Sequence, residues 1–155
     1  MLFLTAAVLW LHCAALVRSC GVGFVAHGDS CYHFSHDREA FELAQLVCKQ
    51  LGASLAEVDS IAEGQYLSSM LAGKSSDHHW IGLSDIREEG TWRWHTTGEV
   101  LKPAIAMWDT HEPNNSRPGL ENCVVIKTDG KWGDTLCMES HPYICEMPYE
   151  RIDVG

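Results

Sequence analysis

The sequence predicts an α+β domain, because helical periodicity in its first half gives way to strand-like runs in its second. Two stretches between residues 35 and 73 carry apolar side chains at three- and four-residue spacing, and after residue 74 short β-type segments follow. No repeat, low-complexity block or Pro/Ser linker divides the chain from Cys20 onward. One domain over 20–148 is therefore expected, with a short tail at 149–155.

The first residues read as an export signal. Leu2, Phe3, Leu4, Ala6, Ala7, Val8, Leu9, Trp10 and Leu11 form an apolar run interrupted by His12 and Arg18, too short for an ordinary membrane span. Cleavage after Ser19, with Val17 at the −3 position, defines a signal over 1–19; cleavage after Ala15 also fits. Either cut removes Cys13 and converts an odd count of seven cysteines into six. No later apolar run is long enough to span a membrane. A secreted, extracellular product is expected, in a compartment where disulfides persist.

The elements follow in order. Phe24, Tyr32 and Phe34, punctuated by Gly21, Gly23 and Gly28, suggest short strands joined by a turn. From Ser35 a helix is predicted, with Ala40, Phe41, Ala44, Val47, Cys48 and Leu51 on one face and Gly52 as its stop. Ala53 to Val58 alternates like a strand. Ser60 with Glu63 forms a capping box for a second helix, whose apolar positions are Tyr66, Leu67, Met70 and Leu71 before Gly73. Trp80-Ile81-Gly82-Leu83, Thr91-Trp92-Arg93-Trp94, Val124-Val125-Ile126 and Tyr143-Ile144-Cys145 are β-type segments. Lys102 to Leu120 has no convincing period, and an irregular stretch of that length in a compact domain is usually functional.

Composition removes several function classes. The formal net charge is −10, and without Arg18 ten basic residues face 21 acidic ones, about −11. Nucleic-acid binding needs a basic face, so no nucleic-acid partner is expected. The histidines His78, His79, His95 and His111 lack zinc-helix spacing, and no Cys-x-x-Cys pair is present. Gly-x-Ser-x-Gly is absent, and the adjacent acids Glu88 and Glu89 do not face across one substrate, so no enzyme is expected.

Trp80-Ile81-Gly82-Leu83, Glu112-Pro113-Asn114, Trp132-Gly133-Asp134 and six cysteines in order together resemble the C-type lectin-like domain over nearly all of Cys20 to Met147. The resemblance implies two helices, two small antiparallel sheets and a long calcium- and sugar-binding loop. Six cysteines allow 15 connectivities; the family pairing implies Cys20 with Cys31, Cys48 with Cys145, and Cys123 with Cys137. It also implies a cis bond before Pro113 and a calcium (Ca2+) site built from Glu112, Asn114, Glu121 and Asp134, all oxygen donors of the kind calcium takes. The same four side chains would bind two sugar hydroxyls, and the Glu-Pro-Asn order resembles the mannose-type pattern for mannose, GlcNAc or fucose. An accessory calcium site would use Asp85, Glu89, Asn115 and Asn122, with amides at two positions where the family has acids.

Two departures bear on that reading. The family's Trp-Asn-Asp becomes Trp132-Gly133-Asp134, which removes a ligand oxygen and a sugar-facing amide. Asn114-Asn115-Ser116 is also a glycosylation sequon, and burial of Asn114 against the ion and the Pro113 turn would leave it unmodified. His111, beside Glu112, would couple ion binding to pH. Trp108 is expected to be the core tryptophan beside the loop. A rival reading is an interaction module of the same fold, binding protein, mineral or ice. A single sugar site of this type is weak, so a homo-oligomer or clustered targets would supply avidity.

Overall fold

A computed structural model describes residues 20–73 and 78–149, together with the backbone of 17–18 and 151–152. Most of the expected export signal, Cys13 included, therefore lies outside the described residues. Among the described residues, ten strands and two helices run in the order β1 (Val17–Arg18), β2 (Val25–His27), β3 (Ser30–Phe34), α1 (Phe41–Gln50), β4 (Ser54–Leu55), α2 (Ile61–Leu71), β5 (His79–Ser84), β6 (Arg93–Trp94), β7 (Cys123–Ile126), β8 (Trp132–Thr135), β9 (Ile144–Pro148) and β10 (Arg151–Ile152). They form two four-stranded antiparallel sheets, ordered β2-β3-β9-β4 and β6-β5-β7-β8, and a ribbon of β1 with β10. A cut after Ala15 would keep that ribbon, whereas a cut after Ser19 would remove it.

The three disulfides are those the resemblance implied: Cys20–Cys31, Cys48–Cys145 and Cys123–Cys137. Cys48–Cys145 spans 97 residues of sequence and joins α1 to β9, the strand that pairs with both β3 and β4. Around it Phe41, Ala44, Leu55, Trp80, Val125 and Tyr143 make one apolar cluster. A second cluster gathers Leu67 and Leu71 of α2 with Ile81, Leu83, Val124, Ile126, Trp132 and Ile144.

Several boundaries move from their expected places. α1 begins at Phe41 because Ser35 serves another element: its backbone N–H donates to the Tyr143 carbonyl at 2.9 Å, and its hydroxyl accepts from the Tyr143 N–H at 2.8 Å. Leu51 caps that helix and is 45 % exposed, so it does not extend the buried face. The strand expected over Ala53–Val58 shrinks to Ser54–Leu55, and that over Thr91–Trp94 to Arg93–Trp94. α2 opens as predicted, with the Ser60 hydroxyl accepting from the Glu63 N–H at 3.2 Å; the Glu63 carboxylate reaches back to the Asp59 N–H rather than to that of Ser60. Trp132 and Trp80 are the fully buried tryptophans, while Trp108 is only partly buried and packs on both Trp132 and Trp92. The correction follows from position, since Trp132 sits inside β8 and Trp108 on the loop that lies over it.

The glycine of Trp80-Ile81-Gly82-Leu83 has a packing reason. Its N–H donates to the Ala56 carbonyl at 2.7 Å, and a β-carbon there would stand 2.9 Å from the Leu55 oxygen. A side chain would thus push apart the close approach between β5 and the β4 segment.

Two half-buried acids, Glu63 and Glu146, lie between β3, β9 and the start of α2. Glu63 accepts hydrogen bonds from the Tyr32 hydroxyl at 2.5 Å and the Asp59 N–H at 2.8 Å, while Glu146 accepts from Ser30 and the Glu57 N–H. Burial outweighs these donors and pushes Glu63 up to about 7; Glu146 is also raised by burial. A raised carboxylate binds its proton more tightly folded than unfolded, so its contribution is present below the ordinary carboxylate range and lost as pH rises through about 7. Lowering the pH from 8 to 5.5 in EDTA is expected to raise the melting temperature by about 2–8 °C, by the usual conversion of about 1 kcal/mol. Glu63→Gln should flatten that slope, as calorimetry would show. Paired Cys48→Ala and Cys145→Ala substitutions should cost about 4–5 kcal/mol in denaturant unfolding.

Candidate functional site

The loop from Lys102 to Leu120 holds one 3-10 turn, Pro103–Ile105, and is otherwise irregular. It is fastened to β8 by bridging of Trp108 with Trp132, by the Asp109 N–H donating to the Trp132 carbonyl at 2.9 Å, and by one carboxylate. That carboxylate is Asp134, which is buried and accepts from the Asn114 N–H at 3.0 Å and the Asn115 N–H at 2.7 Å. β8 in turn pairs along β7, with Asp134 opposite Val124 and Gly133 opposite Val125, and Cys123–Cys137 links β7 to the chain just after β8. The strand ladder and the bridge therefore set the height of Asp134 beneath the loop.

Above it the Glu112–Pro113 bond is cis. The Glu112 carboxylate accepts from the Asn114 N–H at 3.2 Å and from the Asn114 amide NH2 at 2.7 Å, and it lies within hydrogen-bonding reach of Asp134. Burial first, then the hydrogen bond and negative charge of Asp134, push Glu112 up to about 7. Two acids this close are stable as neighbours when a proton or a cation lies between them.

Glu121 directly follows the loop and bonds to other partners. It accepts from the Ser116 hydroxyl at 2.7 Å and the Arg117 N–H at 3.3 Å. Among the described residues no three acidic, histidine or cysteine side chains gather closely enough to hold a metal. The structure thus joins Glu112, Asn114 and Asp134 by direct hydrogen bonds, while Glu121 is held by Ser116 and Arg117. Asn114 is exposed, with its amide oxygen accepting from the Ser116 N–H at 2.7 Å. The turn exposes this side chain because Glu112 and Asp134 occupy the inner side and take its N–H groups.

The accessory set is also contiguous. The Asn115 amide donates to Glu89, the Asp85 N–H donates to the Asn122 carbonyl at 3.1 Å, and Asp85 accepts from the Gly90 N–H at 2.8 Å. One carboxylate oxygen of Asp85 and the side-chain oxygen of Asn122 are buried with no hydrogen-bond donor among the described residues. Burial, and to a lesser degree the charge of Asp134, raise Asp85. Orphaned oxygens and crowded carboxylates are the donor chemistry of a hard cation, so the residues at both places fit calcium.

Two further residues border the site and carry no sequence motif. Lys127 donates to Asp109 at 2.7 Å and draws Asp109 below the usual carboxylate range. Its stem lies 3.4 Å from where a β-carbon on Gly133 would stand, and the Glu112 carboxylate lies 3.5 Å from the same point. Lys127 therefore flanks the position left bare by Gly133, and its charge partly offsets the rise of Glu112. Only the pairing of β7 with β8 across the Lys127–Lys131 turn brings it there, which a linear reading does not reveal.

Comparison with known proteins places the chain's fold and family. A family model for the lectin C-type domain matches residues 37–147. The hepatic lectin of Gallus gallus is 32 % identical over 121 residues, covering 78 % of this chain and 56 % of that protein. The chain spans between about a third and just over half the length of the curated relatives it matches. Among solved structures, the mouse scavenger receptor C-type lectin carbohydrate-recognition domain has a TM-score of 0.78 at 31 % identity, covering 85 % of this chain and 100 % of that one. A calcium-independent type II antifreeze protein has a TM-score of 0.74 at 26 % identity, covering 86 % of this chain and 98 % of that one. With the matched model covering most of the chain and the fold reproducing both sheets, both helices and the loop, this protein belongs to the C-type lectin domain family.

Proposed function

We propose that this protein is a secreted, calcium-dependent lectin that binds terminal mannose-, GlcNAc- or fucose-type sugars, as on microbial surfaces. The observation that carries the reading is the Glu112–Asn114–Asp134 group: two carboxylates in contact, with an amide hydrogen-bonded to one of them. Glu112, Asn114 and Asp134 would hold calcium, with Glu121 joining once it leaves Ser116, and Asp85, Glu89, Asn115 and Asn122 would hold an accessory ion. The ion supplies a Lewis-acid centre on which sugar hydroxyls complete the coordination shell. The chain's own part is hydrogen bonding. A carboxylate accepts from a sugar hydroxyl while the Asn114 NH2 donates to one, which distinguishes hydroxyl orientation. Family membership supports a binding module rather than an enzyme, and the exposed, shallow loop fits a ligand recognised from outside. Assembly into homo-oligomers or clustering of targets would provide avidity.

A second reading, an interaction module with a degraded sugar site, is favoured by the hydrogen bond that engages Glu121 with Ser116, by Gly133 and by the likeness to a calcium-independent antifreeze protein. A glycan array run with calcium and again with EDTA separates the two. Binding to mannose, GlcNAc or fucose ligands that disappears in EDTA is expected for the lectin; EDTA-independent binding, or none, supports the module. Mass spectrometry of the secreted chain should find Asn114 without a glycan, and an occupied Asn114 would remove it from the site.

Gly133 gives a second prediction. It sits in β8 outside the left-handed backbone region, and a β-carbon there would meet its neighbours at 3.4–3.6 Å, ordinary contact distances. Gly133→Asn should therefore fold normally and restore one polar contact to a charged network, worth roughly 1.5–3 kcal/mol. Calorimetric titration is expected to show sugar affinity in calcium rising about tenfold or more.

A further inference from the structure

A cavity of about 310 Å³ lies between the start of α1 and the Ser84–His95 segment. Phe41 and Trp94, both buried, form its apolar floor, and Arg87, Arg93 and His95 line it together with a single carboxylate, Glu42. This concentration is unusual for the chain, which has 11 basic residues against 21 acidic. None of the lining residues belongs to the proposed calcium sites.

The cations here are weakly committed. No hydrogen bond or ion pair joins the Arg87 guanidinium to another described residue, and neither arginine pairs with Glu42. Arg93 reaches Glu88 only at 3.9 Å and the Gly98 carbonyl at 3.4 Å. Burial and the positive charge of Arg87 hold His95 below the usual imidazole range, against the smaller opposite pull of Glu57 and Glu42. Gln45 also lines the cavity, and its amide nitrogen is buried without a hydrogen-bond acceptor among the described residues, so turning it toward a ligand breaks no existing bond. Like charges held around one space, with unspent donors beside them, are the complement of an oxyanion.

We propose that this cavity is an oxyanion site that takes the sulfate or carboxylate group of a small acidic ligand, with Arg87 and Arg93 pairing to its oxygens and His95 and Gln45 at its edge. Arginine suits this task because its planar fork matches both groups. The site acts without calcium and stands independently of the lectin reading.

The test is an NMR titration of the full secreted chain in EDTA at pH 7 and constant ionic strength, following the His95 ring, the Gln45 amide and the arginine Nε–H signals. Its three arms are sodium sulfate, sodium acetate and 6-sulfo-GlcNAc. Saturable shifts confined to this cavity are expected, weakened about tenfold in Arg87→Gln and in Arg93→Gln, and unchanged in Lys131→Met at the exposed β7–β8 turn. Tighter binding of the sulfated sugar than of inorganic sulfate assigns a glycan source, and equal binding assigns the free oxyanion. Absence of saturable shifts in all three arms, or shifts that persist unchanged in both arginine variants, overturns the proposal. Because Arg87 is exposed, its variant keeps the fold and leaves a negative result interpretable.

Discussion

Strand β9 is the constraint on which the molecule depends. It pairs with β3 on one side and β4 on the other, and Cys145 within it is bonded to Cys48 on α1. A strand near the end of the chain thereby fixes the hairpin and helix near its start. Such long-range closure removes much of the freedom of the unfolded chain, and a loop of this length is where a covalent tie has most effect. The second sheet is then placed by its own contacts with this frame, through Trp80 bridging to Tyr143 and Gly82 passing close to Leu55.

The loop inherits its shape from that frame through a few polar contacts. Asp134 holds the loop by two backbone N–H groups, so the residue proposed as an ion ligand is also the loop's anchor. Burial, and then the neighbouring Asp134, raise the Glu112 carboxyl to about 7. Lys127, clasped by Asp109, relieves part of that charge from the side that Gly133 leaves open. The arrangement is electrostatically unfinished, with adjacent acids at one place and orphaned oxygens of Asp85 and Asn122 at the other. Cation binding would complete both, and the cavity lined by Arg87 and Arg93 presents the reverse imbalance.

Much of this was legible in the sequence because it rests on local signals. The Ser60–Glu63 cap, the α2 face and the Cys48 position on α1 follow from spacing and appear where expected. The three pairings came from the family resemblance rather than from the cysteines themselves, and all three are present. What was misread depends on contacts distant in sequence. Ser35 leaves the helix because Tyr143 claims its hydroxyl and N–H, and Trp132 rather than Trp108 is buried because β8 lies beneath the loop. Lys127 enters the site through the β7–β8 turn. None of these has a motif, since each is created by the fold that brings the partners together.

The central claim is that Glu112, Asn114 and Asp134 are poised to receive calcium and that Glu121 turns to join them. A crystal structure of the secreted chain grown with calcium and methyl mannoside tests it most directly. The account predicts one ion bound by Glu112, Asn114 and Asp134, with Glu121 released from Ser116 and two sugar hydroxyls on the ion. An empty loop in saturating calcium, with Glu112 still against Asp134 and Glu121 still on Ser116, would contradict it.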